Sequence, residues 1–295
     1  MVGTDNQSLI VRLCSLALAL AMGGAQATND HYSPFVEAPV SKRVLFGDTH
    51  LHSSWSTDAG LGGATLGPEQ AYQAARGDEV TSHTGLQFRL ASPLDFVVVA
   101  DHAENLGLAD FIRRSDPVLL ANPQGKKWHD MVKSGDGYNA FIEWLRADNT
   151  DLINDEAMSR KAWEFITDAA DRYYQPGVFS TLIGFEWTSH PGGNNMHRVV
   201  VFRDDKHKAR QVLPYSQYDS IDPEDLWRYL SDYEQLTGGR VLAIPHNGNL
   251  SNGYMFATET LSDGQPIDAD YARTRAYFEP VVEVTQMKGT SETHP

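Results

Sequence analysis

Residues 94–102, Leu94-Asp95-Phe96-Val97-Val98-Val99-Ala100-Asp101-His102, decide the fold class. A near-continuous apolar run rich in β-branched residues suits a parallel strand covered on both faces. The run ends abruptly in Asp101-His102, with Glu104 close behind. Charged side chains then sit at the carboxyl end of a strand, where α/β folds carry their chemistry. Outward from this stretch, apolar runs alternate with helical patterns. Val44-Leu45-Phe46 reads as a buried strand that stops at Gly47-Asp48, and Pro68–Arg76 as a helix opened by its proline. Residues 116–175 read as mostly helical, with helices at Tyr138–Ala147 and Asp155–Tyr174 after a loop holding Pro117, Pro123 and Lys126-Lys127-Trp128. Phe179–Trp187 and His197–Phe202 read as strands joined by the turn-rich Ser189-His190-Pro191-Gly192-Gly193-Asn194. Asp222–Leu236 places Leu226, Tyr229, Leu230 and Tyr233 on one helical face, and Arg240–Ile244 and Pro280–Thr285 read as further strands. The alternation predicts an α/β protein built on a parallel barrel or barrel-like sheet.

Composition narrows the function. The 295 residues hold 39 acidic side chains against 24 Lys and Arg, a net charge of −15, with 41% apolar residues. The chain can therefore bury a sizeable core, and it has no basic stripe with which to neutralise nucleic-acid phosphates. A phosphorylated small molecule remains compatible with this acidity, because bound metal ions supply positive charge locally. The lone Cys14 cannot form an internal disulfide. It lies in Cys14–Met22, a nine-residue apolar run preceded by Arg12 and followed by Ala25-Gln26-Ala27. That order reads as a secretory signal over residues 1–27, cleaved after Ala27, and predicts a periplasmic or secreted protein. The run is too short to span a bilayer, so no stable membrane anchor is expected. Residues 28–42 read as a lead-in and 43–295 as one domain with a helical insert at about 110–175.

The histidines carry the chemistry. His50 and His52 are two apart, so an extended backbone turns both imidazoles to one side. His102 follows one apolar strand, Glu186 closes Leu182–Phe185, His246 closes Val241–Pro245, and His197 opens the strand after the Gly/Asn turn. Nitrogen and oxygen donors without thiolate favour Zn, Mn or Fe in a hydrolytic site over a structural zinc. A carboxylate among several imidazoles also suits two ions ~3.5–4 Å apart. His31, His129 and His207 read as surface residues and His83 and His190 as structural; His294 is unassigned.

At this point the sequence resembles a known family. The stretches 46-FGDTHLHSSWSTDAG-60, 68-PEQAYQAARGDEV-80, 93-PLDFVVVADHAENLG-107, 184-GFEWT-188, 197-HRVVVFR-203, 245-PHNGN-249 and 281-VVEVTQMKGTSE-292 are similar to the bacterial DUF3604 family. Its members resemble the PHP (polymerase and histidinol phosphatase) metallohydrolases. The resemblance implies a distorted (β/α)7 barrel with two or three divalent metal ions at the strand ends. By motif, His50 and His52 resemble the opening pair, Asp58 a ligand of a separate ion, and His102 the histidine of the Asp-His motif. Glu186 resembles the bridging carboxylate, and His197 and His246 the histidines of the second ion. PHP proteins finish with a D-x-H motif, and none follows Glu283 here. The resemblance therefore implies a barrel incomplete at its C-terminus and a truncated chain. The expected activity is metal-dependent hydrolysis of a phosphoester on a small-molecule substrate. The alternatives are an amidohydrolase-like cleavage of C–N or C–O bonds, or an exported metal-binding protein without catalysis. Asp48 and Asp101 are expected behind metal-binding imidazoles, as carboxylates that fix their tautomers. Arg198 and Lys288 are expected anion contacts, and Trp128, Tyr138, Trp144 and Trp163 either cap a pocket or fill the core.

Overall fold

The computed structural model describes residues 43–147, 150–286 and 289–290. The expected signal segment, with Cys14, and also His31, Lys288 and His294, lie outside the described residues. Leu45–Pro295 is a unit by itself. Its strands are β1 (Gly47–Leu51), β2 (Val80–Thr81), β3 (Gln87–Phe88), β4 (Phe96–Val99), β5 (Ser180–Trp187), β6 (Arg198–Phe202), β7 (Val241–Pro245), β8 (Thr285–Gln286) and β9 (Gly289–Thr290). Five of them form one sheet in the order β1-β4-β5-β6-β7, curled into a half-barrel; β2-β3 and β8-β9 are two-stranded ribbons.

The fold is mixed α/β, as the alternation of elements implies, but the sheet is not wholly parallel. β1, β4 and β5 run parallel, whereas β6 is antiparallel to both β5 and β7. The cause is the length of the β5–β6 connection. Residues 188–197 are too few for a crossover helix, so the chain can only turn back on itself. This reversal matters for the site: β6 begins at the end where its neighbours finish.

Two other expectations shift. The first strand starts at Gly47 rather than Val44, because the ladder with β4 pairs Gly47 with Phe96. A Cβ at Gly47 would lie 2.3 Å from the Phe96 ring, so glycine lets that ring pack across β1. Val44, Leu45 and Phe46 are exposed. Pro280–Thr285 does not form a full strand either. Only Thr285–Gln286 pairs, with Gly289–Thr290, while Val281, Val282 and Val284 are exposed and Glu283 donates its N–H to the Pro245 carbonyl at 3.0 Å.

In the helical insert, Pro117 and Pro123 open helices (Pro117–Ala121 and Pro123–Lys133) instead of marking a loop. Asp116 accepts the Val118 N–H at one start, and Asn122 accepts those of Gln124 and Gly125 at the other. Proline lacks an N–H that the first helical turn leaves unpaired anyway, so it fits there. Trp128 and Trp163 are fully buried in the main core, which settles them as packing residues. Among the described residues, no helix is long and apolar enough to cross a membrane.

Strand alternation sorts the sheet into two faces. Val97, Val99, Ile183, Phe185, Val200, Phe202 and Ala243 pack in the main core with helix residues such as Trp163, Leu226 and Leu230. Val98, Ala100, Val199 and Val201, with Leu182, Leu242 and Ile244 beside them, form a smaller cluster on the other, concave face. Gly184 belongs to this inner face, where a Cβ would stand 2.5 Å from Val98 Cγ1 and 2.6 Å from the Val200 carbonyl oxygen. Gly184→Ala is expected to spread β4 and β5 and cost about 1–3 kcal/mol, the usual penalty of overpacking. A lower urea midpoint with unchanged slope would register it; an unchanged midpoint would contradict the tight packing.

Candidate metal centre

The inner-face alternation leads straight into the site. His102 continues Val98 and Ala100; Glu186 continues Leu182 and Gly184. His246 continues Leu242 and Ile244, and on the reversed β6, His197 precedes Val199 and Val201. A two-residue period puts all four side chains on the concave side. Backbone pairing carries their alignment past the strand ends: His102 bridges Glu186, Ala103 donates its N–H to the Glu186 carbonyl at 2.9 Å, and His246 donates to the His197 carbonyl at 3.0 Å.

The fifth strand needs an irregularity. Asp48 faces Val97 but Leu51 faces Val99, so β1 carries one extra residue between them. Such a bulge re-aims side chains near functional sites. Here Leu51 packs against the main core, and His50 and His52 join the inner cluster, with ring centroids 5.0 Å apart.

Glu186 stands at the centre and is 1% exposed. Its Oε1 lies 2.8 Å from His50 Nε2 and 3.3 Å from His197 Nδ1. Its Oε2 lies 2.7 Å from His102 Nδ1 and 3.6 Å from His52 Nε2. The donors fall into two groups, His50-His52-Glu186 and His102-Glu186-His197, each with its ligand atoms within 4.8 Å of one another and both sharing Glu186. These contacts aside, neither carboxylate oxygen of Glu186 meets a well-directed hydrogen bond, and neither does His197 Nδ1. Buried polar atoms without partners are costly and call for an explanation. A divalent cation supplies one, since its charge lets the Glu186 oxygens and the imidazole nitrogens that face them all turn lone pairs to one point. These buried groups can hold a metal ion.

The remaining residues attach around this core. Asp58 Oδ2, in the half-exposed first turn of the helix Thr57–Leu61, is 3.4 Å from His102 Nε2. His246 lies outside both donor groups; its ring is 5.7 Å from His50 and 5.8 Å from His197, and its Nδ1 faces the Asn247 carbonyl at 2.8 Å. Of the five other histidines set aside in sequence, His83, His129, His190 and His207 are described and join neither group. His129 is half-buried rather than fully at the surface, bonded to the Ser115 hydroxyl.

Charge in the cluster follows from burial set against Glu186. Burial holds His52 down to about 3, helped by the charge on His102, and holds His197 down to about 4. Both rings are neutral at pH 7 and offer lone pairs. Burial also opposes charge on His50 and His102, but Glu186 outweighs it: with Glu283, it raises His50 to about 9, and with Asp58, it raises His102 well above the ordinary range. Burial would raise Glu186, yet His197, His50 and His102 hold it well below the usual carboxylate range.

Two expected roles fail on geometry. Arg198 is 1% exposed and turned away from the site: it pairs with Glu279 at 3.0 Å and donates to the Met196 carbonyl, so it is a packing residue and not an anion contact. Asp48 is exposed, and its carboxylate accepts the His50 backbone N–H at 2.8 Å. It shapes the bulge from the surface.

Asp101, by contrast, sits fully buried behind His52. It accepts Ser53 N–H and Oγ–H at 2.6 Å each and Ser56 Oγ–H at 2.9 Å. Burial pushes its carboxyl up while these bonds pull it down. Ser56 Oγ, having donated to Asp101, accepts from His52 Nδ1 at 2.8 Å, which leaves His52 Nε2 to face Glu186. Ser56 and Thr188 (2.6 Å from His102 Nδ1) escape sequence reasoning, while Glu104, noted there only as a charge behind the strand end, holds the Gln217 and Thr188 N–H groups with its buried carboxylate. Hydroxyls are too common in loops to mark a site, and the Ser56–Asp101 and Thr188–His102 contacts join segments far apart in the chain.

Residues 39–295 match the family model described as a protein of unknown function, DUF3604. No curated protein and no solved structure matches the chain. A family-model match over most of the chain, on the stretches that build this His/Glu cluster, establishes that the protein belongs to the DUF3604 family.

Proposed function

We propose that the protein is a metal-dependent hydrolase with a multinuclear centre, acting on a phosphoester of a small molecule. One observation carries this reading: a fully buried carboxylate whose two oxygens each face two imidazole nitrogens, shared by two donor groups. His50 and His52 would hold one ion, His102 and His197 the other, with Glu186 between them. Asp58, beside His102, would join a further ion, and His246 would complete the shell only by exchanging the Gln286 amide at its Nε2 for the metal. The nitrogen and oxygen donor set favours Zn, Mn or Fe. Such ions supply Lewis acidity, lower the pKa of water and neutralise phosphoryl charge.

The chain's own part is to hold the donors rigidly on five strand ends, keep Glu186 ionised, and fix the His52 tautomer through Ser56 and Asp101. With Arg198 committed to Glu279, the ions would supply the positive charge that Arg198 was expected to bring to an anionic substrate. The half-barrel, with site residues at one end and helices on the outer face, supports the reading of a PHP-like barrel. The Cys14–Met22 run supports export to the periplasm or beyond. Elemental analysis of purified protein, followed by rates on panels of phosphoesters and of amides and carboxylic esters, tests the proposal. Metal with phosphoester turnover is the expected result. Turnover only of amides or esters would replace the substrate class, and metal without turnover on either panel would leave a metal-binding protein.

A further inference from the structure

The segment after the last helix brings a carboxylate to the gap between the sheet's two edge strands. Glu283 donates its backbone N–H to Pro245 at the end of β7, and its Oε2 accepts the Asn247 N–H at 3.1 Å. The same oxygen lies 3.5 Å from His50 Nδ1 on β1 and 3.9 Å from His246 Nδ1. His50 thus has its two nitrogens divided: Nε2 faces Glu186 in the donor group, and Nδ1 faces Glu283. His246 Nδ1 is already directed at the Asn247 carbonyl, so the arrangement serves His50.

We infer that Glu283 is the positioning residue for His50: it holds the Nδ1–H tautomer and the ring plane, so that Nε2 is presented to the metal position. It thereby takes the part expected of Asp48, which reaches only the His50 backbone. A carboxylate behind a metal-binding imidazole raises its basicity and orients it, and loss of such a partner commonly lowers metal affinity ~10–100-fold. Because Glu283 also ties β7 to the residues after it, it buckles the two edges of the curled sheet at the site end.

The inference rests on the metal-centre reading, and the experiment separates the two. Zn²⁺ and Mn²⁺ are titrated into metal-stripped wild type, Glu283→Gln and the exposed control His207→Ala, with ions per chain counted at saturation. The melting temperature of each metal-free protein is recorded alongside. Glutamine keeps the size and an acceptor oxygen for Asn247 but loses the charge. The expected result is unchanged stoichiometry, affinity reduced ~10–100-fold in Glu283→Gln alone, and metal-free melting close to wild type. In the metal-loaded wild type, the His50 Nδ1 proton should also be visible by ¹H–¹⁵N NMR as a slowly exchanging signal, absent in Glu283→Gln. Unchanged affinity would overturn the positioning role, and so would loss of one ion per chain, which would make Glu283 a ligand. Wild type that takes up no metal would remove the metal centre itself.

Discussion

Glu186→Gln is expected to abolish occupancy of at least one metal position while leaving the fold intact. Both carboxylate oxygens face imidazole nitrogens, two on each side. Two cations a few ångströms apart repel strongly, and the group between them must carry charge on two separate oxygens. A glutamine has one oxygen and no net charge, and its amide N–H donors would face one imidazole nitrogen of each of the two groups. In any active preparation the rate should fall by far more than the ~10–100-fold expected of a change behind the ligands. Fold should survive, because glutamine matches glutamate in size and removes a buried charge. Metal per chain by elemental analysis, with circular dichroism as the fold check, decides the matter. Full metal content in Glu186→Gln would show that the shared carboxylate is a structural strand-end group.

Asp101→Ala should cause the largest loss of stability. The carboxylate is the acceptor for the Ser53 N–H and hydroxyl and for the Ser56 hydroxyl, with the Ser56 N–H at 3.2 Å. Truncation strands the buried Ser53 N–H at about 1–3 kcal/mol, leaves the Ser56 N–H only the Ser53 carbonyl at 3.3 Å, and removes the charge that strengthens every one of these bonds. We expect about 3–5 kcal/mol, a large share of the stability of an ordinary domain. The His52–Ser56 contact should loosen with it, since Ser56 no longer has a fixed acceptor for its proton. Asp101→Asn keeps one acceptor oxygen and should lose less. Urea denaturation of the three metal-free proteins gives the ranking, and equal stability for wild type and Asp101→Ala would refute the hydrogen-bond cage.

The sequence alone pointed to the strand ends, where the His/Glu cluster gathers. The apolar runs 96–100, 182–185 and 241–245 bury themselves on either face of a sheet, so the polar residue that follows each must lie at its end. His102, Glu186 and His246 were legible for that reason, and the i,i+2 pair His50 and His52 by alternation. Composition and donor type, without cysteine near any of them, already favoured a hydrolytic metal site. The helix starts at Pro117 and Pro123 were misread because a proline that opens a helix and one that ends it look alike until the capping side chains are placed.

Only the tertiary structure decided the rest. It reversed β6, since a connection of residues 188–197 cannot cross over, and so brought His197 to the others from a strand's beginning. It put a bulge into β1, turned Arg198 inward to Glu279, and exchanged Asp48 for Glu283 behind His50. These outcomes depend on contacts between residues as far apart as Arg198 and Glu279, or His50 and Glu283. Local periodicity reports which face a side chain takes along its own strand. It carries no information about what the curl of the sheet sets opposite, and that juxtaposition selects which carboxylate meets which imidazole.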